Sequence, residues 1–476
     1  MDLARAGTLD AIVDEAAASF DPEREGRVHL RGAERGHLTL TVHREGEGAG
    51  DEPVVVRRVD PTSGVASSER RGTSPAVFLD VPPPEALERF LLDLHIRLLM
   101  PGRLGLWVTG LAGFALLLLL TTGLYVHWPN RKRALEAPRR DGARKLLADL
   151  HTLLGVWSVP FTAALGFTGA FFSLAGSLLI PLFAFVALGG DIDAIAAAVR
   201  PRAHVEVAET VAPLAPVIED AVARSGSAVE RVEILRAAEG GGLQVTVHVA
   251  DPGWAFSRRA FLYDGHRGTF LRETPGLGSA PSVGTFLLRL IGALHFGTLA
   301  GLTTKVVWFL LGLVTCALAG TGFALWAVRE GRARPRFGER ALGVVAAASA
   351  GLPLAVALSV LAWSTTVALG GPPRAAMTWA FCGGLLLSGM SGLRFTPALA
   401  LRLVLLASAL AYLTLPVAGW WAVGSASLAA PSAVAVDLGF LLAGVLLASA
   451  GLGFRGRRQA DGASSAGTVA EGSLPT

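Results

Sequence analysis

The chain has 476 residues, of which 52% are hydrophobic and 17% charged, against about 25% charged in ordinary soluble domains. A chain this long and this apolar uses a bilayer as part of its solvent. That excludes a soluble globular protein, a disordered chain, a collagen-like repeat and a small disulfide scaffold. The two cysteines, Cys316 and Cys382, both lie in apolar runs and supply no disulfide or cysteine-rich metal framework. The net charge is +4, and only Lys132, Lys145 and Lys305 of the 42 basic residues are lysine. The basic residues cluster just after apolar runs, a pattern of membrane topology rather than of nucleic-acid binding.

In chain order, residues 1–94 are polar and read as α+β. TLDAIVDEAAASF has helical spacing; VHLRG, HLTLTVH and PVVVRRVD read as strands, and VDPTSG as a turn. A run of about 20 apolar residues crosses the hydrocarbon, and the first is Leu104 to Trp128. A basic loop at 129–150 leads to a second span from Thr152 to about Leu188, where Pro160 and Pro181 invite kinks. Residues 190–285 repeat the polar pattern: PLAPVIEDAVARSG is helical, VERVEIL, LQVTVHV and RRAFLYDGHRG are strand-like, and YDGHRG is a turn. An interfacial segment and a third span, Val306 to Val328, occupy 286–328, followed by a basic loop at 329–340. Four more spans are expected at about 341–368, 375–392, 396–418 and 434–454, the fifth of the seven being the shortest, and then a disordered tail at 455–476.

The runs RKRALEAPRRDGARK, REGRARPRFGER and RGRR belong on the cytoplasmic side under the positive-inside rule. The fold class is therefore a mainly α-helical polytopic membrane protein of about seven transmembrane helices with two small extracytoplasmic α+β units. Its expected location is the inner (cytoplasmic) membrane, with the α+β units facing the periplasm or exterior. Residues 1–94 carry no apolar leader, so for an outward-facing unit there the expectation is either a leading helix upstream or an orientation set by later spans.

The halves repeat. His95 is followed by Trp107, Thr122-Gly123 and Trp128; His295, 200 residues later, is followed by Trp308, Thr321-Gly322 and Trp326. Of the ten histidines, His29, His37, His43, His204, His248 and His266 lie in the polar pieces and read as surface or strand residues, with no zinc-site spacing. His95, His127, His151 and His295 stand at the ends of apolar helices, where an ionisable group is costly. Topology pairs them: His95 and His295 near the outer face, His127 and His151 near the inner. Two imidazoles on neighbouring helices can ligate a haem iron from opposite sides, an arrangement suited to electron transfer; an interfacial ring among lipid head groups is the simpler reading. Gly292, Gly297 and Gly301 near His295, and Gly155 after His151, offer room for a macrocycle or serve helix packing. Arg97, Arg103 and Arg289 are either propionate partners or interface anchors.

FLLDLHIRLLMPGRLGLWVTGLAGFALLLLLTTGLYVHWPNRKR, LLADLHTLLGVWSVPFTAALGFTGAFFS and LLRLIGALHFGTLAGLTTKVVWFLLGLVTCALAGTGFALW resemble helices of the PepSY-associated transmembrane family. The polar pieces resemble PepSY domains, with VDPTSG and YDGHRG at that family's turn. The resemblance covers roughly residues 1–330. It implies an iron-regulated membrane protein similar to ferric-siderophore reductases carrying haem b, with His95 and His295 as outer and His151 as inner axial ligands. The family's first helix, whose own histidine would partner His151, has no counterpart here, and His127 stands where the family usually has Trp, so His127 is the expected substitute partner.

The functional expectation is electron transfer across the membrane from quinol or a protein donor, with a ferric siderophore as acceptor and no nucleic-acid partner. The catalytic residues are not identified. No GxGxxG fingerprint accompanies this oxidoreductase reading. The competing expectation is a non-enzymatic PepSY-type sensor, binding protein or protease regulator. A transporter is disfavoured, since Asp437 is the main acidic residue within the spans. Spans 341–454 contain no histidine and have no assigned role.

Overall fold

The computed structural model describes residues 26–32, 38–44, 53–60, 66–73, 83–130, 136–139, 142–191, 195, 205–206, 208, 211–236, 242–249, 259–274, 282–424 and 431–453. The expected helix at TLDAIVDEAAASF, most of the VDPTSG turn and the tail at 455–476 lie outside these residues.

Eight strands form one antiparallel sheet. They are β1 Gly26–Gly32, β2 Leu38–Arg44, β3 Pro53–Val59, β4 Ala66–Thr73, β5 Val229–Arg236, β6 Leu243–Val249, β7 Arg259–Asp264 and β8 Phe270–Thr274. The order is β4-β3-β2-β1-β5-β6-β7-β8. The two polar pieces thus share one sheet, joined where β1 pairs with β5 in the register Val28↔Ile234, His29↔Glu233 and Leu30↔Val232. Alternation sets the faces. Val28, Leu30, Leu40 and Val42 from the first half join Val232, Ile234, Val245 and Val247 from the second in a single buried core.

Helix α5, Leu214–Ser225, covers that core with Leu214, Val217, Ile218 and Ala221. Gly226 ends it in the left-handed conformation that glycine adopts without penalty. The buried Tyr263 hydroxyl donates to Asp220 of α5 at 2.9 Å, tying helix to sheet. The YDGHRG turn is present: Asp264 Oδ1 accepts from the backbone N–H groups of His266 and Arg267, and Gly268 closes it at φ +67°.

The other helices are α1 Pro83–Arg97, α2 Leu104–His127, α3 Ala143–Leu174, α4 Ile180–Leu188, α6 Val283–Phe296, α7 Gly301–Ala333, α8 Pro335–Ala368, α9 Pro373–Arg394, α10 Pro397–Val423 and α11 Pro431–Gly453. Seven stretches among the described residues are long and apolar enough to cross a membrane, as expected. The fifth, Pro373–Arg394, is the least apolar, and at 22 residues its helix is shorter than α11 at 23. The second span runs through Pro160 and is interrupted by a π-helical segment, Ala175–Leu179, immediately before α4, with Pro181 near the start of the new helix.

The expected basic loop at 329–340 is a correction: α7 continues to Ala333 and α8 begins at Pro335, leaving only Arg334 outside a helix. Proline is compatible with a first helical position and holds its predecessor out of the α region, so it starts a helix here rather than sustaining a loop. Gly331 and Gly338 let the two helix ends meet, since a Cβ at Gly338 would stand 2.7 Å from the Gly331 nitrogen.

The described residues form two compact units. One holds the sheet, Gly110–Phe114 and Ala164–Phe309; in it α2 and α3 approach closely because a Cβ at Gly113 would lie 3.0 Å from the backbone of Ala170. The other holds Pro82–Thr109, Ala115–Ala163 and the chain from Leu310. There α8 and α9 cross at Gly343 and Gly392, where a Cβ at Gly343 would sit 2.6 Å from the Gly392 carbonyl oxygen.

Because a polar sheet cannot pass through hydrocarbon, both its halves lie on one side of the membrane, with α2 and α3 as the outgoing and returning spans between them. In a background with Cys316 and Cys382 changed to Ser, Arg71→Cys and Leu271→Cys should react with an impermeant maleimide from the same side of intact cells or inverted vesicles. Labelling from opposite sides would break the single sheet. Ile234→Ala, at the seam and 1% exposed, should cost roughly 2–5 kcal/mol, read as a lowered Tm of the solubilised protein.

Candidate functional site

Two of the four membrane-edge histidines are held in matching ways. His151 stands near the start of α3. Its Nδ1 lies 3.1 Å from the Leu318 carbonyl oxygen and 3.1 Å from Thr321 Oγ1, both on α7. A carbonyl only accepts, so Nδ1 carries the proton and donates. Thr321 already donates to Ala317 at 2.8 Å and so offers the imidazole a lone pair. Gly322 makes the approach possible: a Cβ there would come within 2.9 Å of His151 Cε1.

His295 ends α6, and its Nδ1 lies 3.0 Å from Thr168 Oγ1 near the end of α3. Thr168 donates to the Ala164 carbonyl at 2.7 Å, so again the hydroxyl accepts and Nδ1 holds the proton. The next residue is again glycine, and a Cβ at Gly169 would meet His295 Cε1 at 3.9 Å. Phe172 and Phe296 meet the ring edge-on at 5.1 and 5.2 Å between centroids. Trp308 Nε1 donates to the Leu294 carbonyl at 2.7 Å, fixing the end of α6. In both places a Thr-Gly pair on one helix receives a histidine from another, and Nε2 is left as the basic nitrogen.

The remaining two are placed differently. His127 closes α2. His95 is exposed on α1, in a different compact unit from His295. Of the glycines near these histidines in sequence, Gly297 and Gly301 serve the turn between α6 and α7 at φ +61° and +59°, Gly155 packs against Leu318, and Gly292 borders open space among the described residues. The room around the imidazoles comes from Gly169 and Gly322 instead. A Thr-Gly step in an apolar helix also serves plain packing, and it recurs at 109–110, 122–123, 168–169 and 321–322, so sequence alone does not single out Thr168-Gly169.

The described polar histidines are structural. Buried His266 accepts from the Leu243 N–H at 3.0 Å. His29 and His43 meet edge to face, and His248 Nε2 lies 3.6 Å from Glu233 and 3.2 Å from Arg231. His37 and His204 lie outside the described residues. No group of three or more His, Cys, Asp or Glu among the described residues could hold a metal ion.

Residues 5–329 match the family model described as the PepSY-associated TM region. The chain is also 32% identical over 270 residues to the uncharacterized protein PA4219 of Pseudomonas aeruginosa. That match takes in 51% of this chain and 64% of the relative, so the chain spans less than two thirds of the relative's length.

Glu233 faces His29 across the seam. Burial alone would raise its carboxyl, but the neighbouring His248 imidazole and the charges of His29 and Arg231 outweigh burial and bring it down to about 2. A depressed carboxyl stabilises the fold above its unfolded value and loses that contribution as pH falls through the folded one. Glu233→Gln should therefore cost on the order of 1–3 kcal/mol near neutrality. The gap to wild type should close between about pH 4.5 and about 2. Urea titrations at several pH values would check this; a gap independent of pH would refute it.

Proposed function

Since the chain belongs to the PepSY-associated transmembrane family, we propose that it is a membrane haem b protein that carries electrons across the bilayer, with the sheet side extracytoplasmic and a ferric siderophore as acceptor. The observation that carries this reading is the pair of oriented imidazoles, His151 on Thr321-Gly322 and His295 on Thr168-Gly169.

A histidine that binds metal through one ring nitrogen donates its other N–H to a fixed acceptor, which sets the tautomer and raises basicity. Both rings have that acceptor, and both lie beside a glycine. These residues would suit a haem held by histidine. His151, with His127 as the partner expected from sequence, would serve the inner site; His295 and His95 would each be a candidate outer-face ligand. When bound, such a group would supply a one-electron centre. The chain's residues do the rest. Leu318 and Thr321 fix the His151 ring, and Thr168 and the Phe172–Phe296 pair fix the His295 ring. Arg97 and Arg289 supply guanidinium groups for carboxylates at the outer face. A quinol or a protein would deliver electrons to the inner site.

A dithionite-reduced minus oxidised spectrum of the purified protein decides between this reading and a sensor or binding module. Sharp b-type bands are expected, diminished by about half in His151→Ala and in His295→Ala. Thr168→Val should keep the haem but shift the potential of the His295 centre. Iron-free, colourless protein would overturn the reading.

A further inference from the structure

Helix α1 carries His95 and also packs against α8 and α9, which lie beyond the stretch that matches the family. One face of α1 is buried: Ala86, Phe90 and Asp93, at helical spacing i, i+4, i+7. On α9, Arg374, Met377 and Phe381 stand at i, i+3, i+7, again along one helix face, with Met377 and Phe381 buried. Arg374 Nη2 donates to Asp93 Oδ2 at 3.0 Å, Arg89 flanks the same carboxylate at 3.7 Å, and Phe90 meets Phe381 edge-on at 6.1 Å. Asp93 is only 8% exposed, so its charge relies on these two guanidinium groups.

The far end of α1 is pinned too. Leu98 and Leu99 leave the helix at φ 53° and 59°, a left-handed pair unusual for leucine. Thr109 Oγ1 donates to the Ile96 carbonyl at 2.9 Å, and Gly105 packs on the Arg97 backbone where a Cβ would clash. His95 lies two residues from Asp93, about 200° around the helix. It is therefore directed away from the face that α9 grips.

We propose that Arg374 is a positioning residue for His95, and that the C-terminal bundle acts as a clamp fixing the orientation and local charge of the helix bearing this outer ligand. This rests on the haem reading above. Removing Arg374 both loosens α1 and leaves a poorly compensated buried anion near the ligand. An added negative charge near an iron centre favours the oxidised form. Arg374→Ala should therefore lower the midpoint potential of the haem whose bands are lost in His95→Ala and leave the other haem unmoved. Arg374→Lys should restore the wild-type value, and Asp93→Asn combined with Arg374→Ala should cancel the charge-driven shift.

Spectroelectrochemical titration of the full-length protein reads the potentials, and hydrogen exchange over residues 83–97 reads the clamp. Unchanged potentials in Arg374→Ala, or equal shifts in both haems, would overturn the positioning role. Faster exchange confined to 83–97 supports the clamp, and unchanged exchange sinks it. A colourless wild type that still shows faster exchange in Arg374→Ala would defeat the haem reading, and with it the ligand role, while leaving the clamp standing. Asp93→Asn alone, which keeps the helix packing, is the variant to use if Arg374→Ala fails to accumulate.

Discussion

The pairing of β1 with β5 is the constraint from which the rest follows. Backbone N–H and C=O groups must be paired once buried, and these two strands satisfy one another across more than 200 residues of chain, from Val28 to Ile234. Neither half-sheet closes its core alone, because Val28 and Leu30 share a cluster with Val232, Ile234 and the α5 residues. Holding both halves on one side of the membrane obliges the intervening chain to cross and return. That return lays α3 where both of its ends meet histidine partners: its own His151 against α7, and its Thr168 against His295.

The Thr-Gly step is the local device. Threonine in an apolar helix returns its hydroxyl proton to a carbonyl one turn back, as Thr168 does to Ala164 and Thr321 to Ala317. The lone pairs then remain for an imidazole N–H. The following glycine removes the Cβ that would hold the ring off. One dipeptide thus answers both demands of a buried histidine, a partner for Nδ1 and space at the ring edge.

Much of this was legible in the sequence, for reasons that differ by element. The spans were plain because hydropathy over 20 residues is a strong signal, and strands such as LQVTVHV because alternation marks a half-buried face. The single sheet was not, since its seam joins strands whose pairing depends on register and not on any local pattern. The run at 329–340 misled because its arginines and Pro335 suit a loop as well as a helix junction. The seam polar cluster was hidden because His29, His43, Glu233 and His248 come from four different strands, where a search for close spacing finds nothing. The candidate histidines themselves were visible through their cost in an apolar setting; their supporting threonines were not, because threonine and glycine carry no such cost.

The repeat is imperfect, and its departures carry meaning. Thr122-Gly123 of α2 corresponds to Thr321-Gly322 of α7, yet among the described residues nothing lies within 4 Å of a Cβ at Gly123, whereas Gly322 abuts His151. His295 is anchored through its own ring by Thr168, whereas the helix of His95 is anchored through its opposite face by Arg374 and Phe381. Anchoring a ring fixes one side chain; anchoring a helix fixes everything on it, including Arg97 and the elbow at Leu98 and Leu99. A buried carboxylate is a poor choice for stability alone, because an apolar contact of the same size avoids its desolvation. Its presence at the junction of α1 and α9 is better accounted for by register. An ion pair beside an aromatic contact allows one alignment of two helices, where a stripe of leucines would tolerate several.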